Sequence, residues 1–167
     1  EHVVRYIKAQ GSSRVHLVGH DVAGLAAVLI ALEHPDLLSS ITVVSSAWTA
    51  PSGDGVEDYT LRHPPIPLMS RQSQVWALEQ LSYSHQHIDE ALIQDCLAAA
   101  SGPAHLAALE AMQGDGFSRI FMASATRAKY RFFQAARGEG LKVPVQVIAG
   151  QQDRVVSTQH MLALFRI

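Results

Sequence analysis

Val15-His16-Leu17-Val18-Gly19-His20-Asp21-Val22-Ala23-Gly24 is the stretch that decides the fold. Val15 to Val18 is a short apolar run bounded on its N-terminal side by Gly11-Ser12-Ser13, which reads as a buried strand entered from a turn. Val22 to Glu33 is apolar on nearly every side and is stopped by His34-Pro35, which reads as a helix buried between layers. Between them lies a turn of the form small-x-Asp-x-small-small. A side chain held on so sharp a turn projects above the end of the sheet, and Gly19, Ala23 and Gly24 keep Cβ atoms out of its way.

Working outward, Val3, Val4 and Ile7 share one helical face before the strand. After the long helix, Ile41-Thr42-Val43-Val44 shows no alternation, the habit of a strand covered on both faces in a parallel sheet. Strand, helix and strand form a βαβ unit. From Trp48 to about Pro67 the chain is rich in Pro, Gly and Asp and leaves the sheet. Helical periodicity returns in 71–81, 88–100, 103–113 and 117–136, with Gly138 and Gly140 as expected stops. A third strand is expected over Val143 to Ile148, followed by the loop Gly150-Gln151-Gln152-Asp153 and a helix capped by Ser157. The expected organisation is an α/β core over 1–48, a helical cap over 49–137 and a return to the core over 138–167. An insertion of that length is longer than an ordinary connection and has its own task.

This order of strand, elbow, helix, strand, cap, strand and acid resembles the α/β-hydrolase superfamily, and the Gly19-His20-Asp21 elbow is similar to that of its Asp-nucleophile branch, the epoxide hydrolases and the haloalkane and haloacetate dehalogenases. The resemblance implies a partial α/β-hydrolase fold, a parallel sheet with a helical cap insertion. It makes Asp21 the nucleophile, since a carboxylate displaces a leaving group at an sp³ carbon and leaves an ester that water hydrolyses. It makes the N–H of Val22 the oxyanion donor and Asp153 the acid that orients a histidine base. That histidine would lie beyond Ile167, His160 being too close to Asp153, and the second oxyanion donor would lie before Glu1. The branch pattern departs at Val22, where many members carry tryptophan or arginine. Tyr59, Tyr83 and Tyr130 are candidates to activate an epoxide oxygen, and Trp48 and Trp76 are candidates to line the substrate pocket.

Other chemistry has weaker support. Neither G-x-x-x-x-G-K-[ST] nor G-x-G-x-x-G follows Val18, so a phosphate-binding turn is not expected. A turn of another doubly wound protein, with Asp21 merely capping the helix, is the bland alternative. His85-x-His87-x-Asp89 has a metal-ligand spacing, yet no buried strand precedes it and Asp89 sits where a helix cap belongs; no metal and no cofactor are expected.

Composition narrows the class. The chain has 167 residues, 48% of them hydrophobic and 17% charged, with a formal net charge of −2, and it carries no basic field for nucleic acid or anionic lipid. Val22 to Leu32 is too short for a membrane span. Cys96 is the single cysteine, which excludes an internal disulfide and makes a cytoplasmic setting the default. The expected partner is a small apolar substrate, with a homo-oligomer or a complementing chain segment covering the sheet edge. The expected activity is hydrolysis of an epoxide or organohalide. The alternatives are a C–C bond or ester hydrolase, a cofactor-free lyase or oxygenase, or a catalytically inactive fragment.

Overall fold

The computed structural model describes residues 1–50, 63–112 and 122–166. In chain order the elements are α1 (His2–Ala9), β1 (Val15–His20), α2 (Val22–Glu33), β2 (Leu38–Val44), α3 (Arg71–Leu81), α4 (Glu90–Ala100), α5 (Pro103–Met112), α6 (Ala123–Glu139), β3 (Val145–Ile148) and α7 (Thr158–Phe165). Short 3₁₀ turns at Pro35–Leu37 and Ala47–Thr49 bracket β2. The chain divides into two compact units. One gathers Glu1–Asp54, Arg127–Gln151 and Val156–Ile167; the other gathers Gly55–Thr126 and Gln152–Val155.

The first unit is built on a parallel sheet of order β1-β2-β3. Leu17 pairs with Ile41 and Gly19 with Val43, while Ile41 pairs with Val145 and Val43 with Val147. These residues line one face, on which α2 packs with Leu25, Ala27, Val28, Ile30 and Ala31 buried. Removing that apolar surface from water is the main stabilisation of the unit, at about 25 cal/mol per Å². Arg14 ties the entry of β1 to β2 by donating to the Leu38 carbonyl from Nε at 2.8 Å.

Two expectations are corrected here. The sheet is not covered on both faces by the described residues: His16, Val18, His20, Gln146 and Ile148 on the second face are exposed, Val18 by 65%. That face is partly polar, with the His16 ring nitrogen Nδ1 2.7 Å from Ser40 Oγ and Thr42 Oγ1 donating to Gln146 Oε1 at 3.2 Å. The helix α2 is likewise buried on one side only, with Val22, Ala23 and Ala26 exposed. Boundaries shift as well. The strand β2 begins at Leu38, directly after the 3₁₀ turn that Pro35 initiates, and α6 runs through Gly138 to Glu139 before the Gly140 N–H closes on the Ala136 carbonyl.

The second unit contains α3, α4 and α5. Ser70 caps α3 by accepting from the Ser73 N–H, and Asp89 caps α4 by accepting from the Leu92 N–H. Arg71 at the start of α3 grips Glu90 at the start of α4 with two N–H···O bonds of 2.7 and 2.6 Å. Gln94 supports Glu90 from one turn later, donating at 2.7 Å. Among the described residues no helix is long and apolar enough to cross a membrane.

Candidate active site

The elbow follows directly from the sheet register. At the end of β1 the Asp21 N–H donates to the Val44 carbonyl at 3.2 Å, so the chain stays tied to β2 up to the residue where it turns. Asp21 then adopts φ 50°, ψ −123°, a region that L-residues seldom occupy and that costs of order 1–3 kcal/mol. The turn is possible because both flanks lack side chains. A Cβ on residue 19 would run into the Ala23 carbonyl, and one on residue 24 would stand 2.7 Å from both Cβ and Oγ of Ser46.

The Asp21 side chain is exposed and makes no capping hydrogen bond to α2, although Asp21 holds the N-cap position. A capping aspartate takes extended backbone angles and accepts from the first turn, as Asp89 does on α4. The bland alternative of a simple cap therefore does not describe Asp21. Val22 is the first residue of α2, so its N–H has no intrahelical acceptor and points out of the positive end of the helix.

Behind the elbow lies a bracket that the sequence does not advertise. Ser46 is fully buried, and its hydroxyl donates to the Asp21 carbonyl at 2.5 Å. Thr49, also fully buried, donates to the Ser46 carbonyl at 2.9 Å, and Lys129 on α6 donates to the Ala47 carbonyl at 3.4 Å. Ser45 takes positive φ, and its N–H closes on the Ile148 carbonyl at 2.9 Å. A serine pair following an apolar strand reads as an ordinary turn, so sequence held no signal for this arrangement.

The other expected site residues divide between the two units, Trp48 and Tyr130 belonging to the first and Trp76, Tyr83 and Asp153 to the second. Trp48 lies in the 3₁₀ turn of the bracket, half-buried. Asp153 lies in the loop after β3, half-buried, where its Oδ1 accepts from the Val155 N–H at 2.8 Å. Tyr130 is on α6, 67% exposed, on a helix whose buried residues are Phe132, Phe133 and Ala136. In the second unit Trp76 is half-buried on α3 and Tyr83 is exposed just after it. Tyr59 lies outside the described residues. An apolar cavity of about 180 Å³ in the first unit is lined by Phe132, Leu141, Val145, Val147, Leu164 and Phe165, with neither Asp21 nor Tyr130 among its walls. Among the described residues no group of three His, Cys, Asp or Glu side chains is gathered to hold a metal ion. His87 instead meets Ser82 Oγ at 3.2 Å and Asp89 is spent on its cap.

Comparison with solved structures agrees with this architecture. The meta-cleavage product hydrolase CumD of Pseudomonas fluorescens IP01 superposes with a TM-score of 0.73 at 16% identity, covering 99% of this chain and 57% of that one. The chain has the α/β-hydrolase fold. A second structure, the 2-hydroxy-6-oxo-6-phenylhexa-2,4-dienoate hydrolase of Rhodococcus sp. strain RHA1, matches with a TM-score of 0.59 at 15% identity over 93% of this chain and 53% of that one. The chain thus spans a little over half the length of these structures. No family model matches the chain. In sequence, a segment of 49 residues is 41% identical to the protein named "Putative carbamate hydrolase RutD" of Caulobacter sp. (strain K31), which amounts to 29% of this chain and 18% of that protein.

Proposed function

We propose that this chain carries the nucleophile of an α/β-fold hydrolase, with Asp21 attacking an sp³ carbon of a small apolar epoxide or organohalide. The observation that carries the reading is the backbone of Asp21: strained, free of any capping bond, exposed, and adjacent to the N-terminal N–H of α2. In the first step a carboxylate oxygen of Asp21 forms a bond to carbon. With an organohalide the carbon–halogen bond breaks and halide leaves with the electron pair. With an epoxide a ring C–O bond breaks and the alkoxide takes up a proton. In the second step water attacks the Asp21 ester carbon and loses a proton to the base, and the Val22 N–H stabilises the negative charge that develops on the carbonyl oxygen. The acyl C–O bond then breaks to release the product alcohol, which takes up a proton, and restore the carboxylate. Asp153 would orient the histidine that activates this water.

A second reading, hydrolysis of a C–C bond or an ester, is favoured by two of the structural neighbours, a meta-cleavage product hydrolase and a dienoate hydrolase. The aspartate at the elbow weighs against it, because acyl transfer calls for a nucleophile that leaves a labile ester and not an anhydride. The two readings separate by trapping. The full-length protein is exposed to a chlorinated alkane and, separately, to an epoxide, quenched in acid within the first turnover, and digested. The reading expects an alkyl mass from the halide or a hydroxyalkyl mass from the epoxide on the peptide containing Gly19 to Gly24. Absence of both adducts, with turnover retained by Asp21→Asn, would leave the second reading in place.

A further inference from the structure

The peptide bond that follows Asp21 has two ends with different duties. Its N–H belongs to Val22, the oxyanion donor of the reading above, and its carbonyl belongs to Asp21. Both lone pairs of that carbonyl are engaged: the Gly24 N–H donates to it at 2.9 Å and the Ser46 hydroxyl at 2.5 Å. The first of these bonds comes with the turn. The second is supplied from another segment, by a side chain that is fully buried and backed by Thr49.

We propose that Ser46 is a positioning residue that sets the plane and raises the donor strength of the Asp21–Val22 peptide, so that the Val22 N–H meets the negative charge formed in the second step. The physical cause is polarisation. An amide that accepts a hydrogen bond at oxygen donates more strongly at nitrogen, and the effect grows where water is excluded. Ser46 touches neither the substrate nor the reacting atoms; it acts through one peptide group. Burial of the hydroxyl also means that no water molecule takes its place without room being made, since Gly24 already abuts it. The proposal rests on the reading of Asp21 as nucleophile and Val22 as donor, and it adds the residue that tunes the donor.

The consequence is selective. Carbon–oxygen bond formation in the first step consumes the charge of the Asp21 carboxylate and needs no strong oxyanion donor, whereas water attack on the ester creates an oxyanion. Removing an oxyanion donor outright lowers rates by about 10²–10³-fold. Weakening it through loss of one polarising bond is expected to cost about tenfold in the second step. Simple misplacement of the elbow would slow both steps together.

The test uses Ser46→Ala and Ser46→Cys in the full-length protein, the cysteine keeping a weak donor of similar shape. In ¹⁵N-labelled protein the Val22 amide nitrogen moves upfield in Ser46→Ala and part-way in Ser46→Cys, while the amides of Ala27 to Ala31 hold their positions. In rapid-quench experiments with the halide or epoxide that alkylates the wild type, Ser46→Ala forms the Asp21 ester at the wild-type rate and hydrolyses it about tenfold more slowly, so that the alkyl-enzyme accumulates. An unmoved Val22 resonance, or equal slowing of both steps, overturns the proposal. Failure of the wild type to form any adduct counts against the nucleophile reading alone, and the Val22 shift then decides whether Ser46 acts on this peptide.

Discussion

Gly24 and Ser46 approach so closely that a Cβ on residue 24 would lie 2.7 Å from both Cβ and Oγ of the serine, with Val43 Cγ1 only 3.1 Å away. The contact joins the first turn of α2 to the segment after β2 and leaves no room for a methyl group. Gly24→Ala is therefore expected to destabilise the protein by roughly 1–3 kcal/mol through overpacking, despite the higher helix propensity of alanine. In a double-mutant cycle Ser46→Gly should recover part of that loss. Denaturant unfolding measures both, and a neutral or stabilising Gly24→Ala would contradict the packing described.

Asp21 holds a positive φ that glycine adopts freely. Asp21→Gly should thus raise stability by about 1 kcal/mol while removing the carboxylate that forms the ester. Thermal unfolding together with adduct formation reads the two effects. A destabilised variant would show that the aspartate side chain holds the elbow together instead of being tolerated there.

The bidentate bond from Arg71 holds the Glu90 carboxyl below its ordinary range and raises the Arg71 guanidinium above its own. A carboxylate whose folded value is lowered contributes stability that is present above the unfolded value and lost as pH falls through the folded one. The stabilisation by this pair is accordingly present near neutral pH and fades in acid, while Arg71 stays charged throughout. The difference in unfolding midpoint between wild type and Glu90→Gln should shrink when measured at about pH 3 instead of about pH 7. The pair is exposed, so the difference is small and falls further in high salt. A difference that grows in acid would reverse the assignment.

Asp89 and Ser70 each satisfy a first-turn N–H of their helix. Asp89→Ala and Ser70→Ala should each cost roughly 1 kcal/mol, with Asp89→Asn close to neutral. If adding zinc stabilised the wild type but not Asp89→Asn, Asp89 would be a ligand and the capping assignment would fall.

The elbow was legible because its requirements are steric and local: an apolar run, three small residues around Asp21, and a second apolar run admit few other turns. The parallel order followed from the unbroken Ile41 to Val44 run and from crossovers of helical length. That same run misled on coverage. Ser40, Thr42 and Gln146 share the open face of the sheet, a pattern visible only once the register pairs them. Gly138 reads as a stop in sequence, yet the buried anchors Phe132, Phe133 and Ala136 carry α6 past it. Ser46 was missed for a different reason, since its role depends on a carbonyl 25 positions earlier that only the fold brings to it.

The central claim, that Asp21 attacks substrate, is tested most directly by following oxygen. In water enriched in ¹⁸O, an ester formed on Asp21 and hydrolysed at its carboxyl carbon leaves solvent oxygen in the aspartate. After many turnovers by the full-length protein, the peptide containing Asp21 should carry ¹⁸O, and the product of a single turnover should carry the unlabelled oxygen that Asp21 supplied. A single-turnover product labelled from solvent, with the Asp21 peptide unlabelled, would mean that water attacks the substrate directly and would contradict the account.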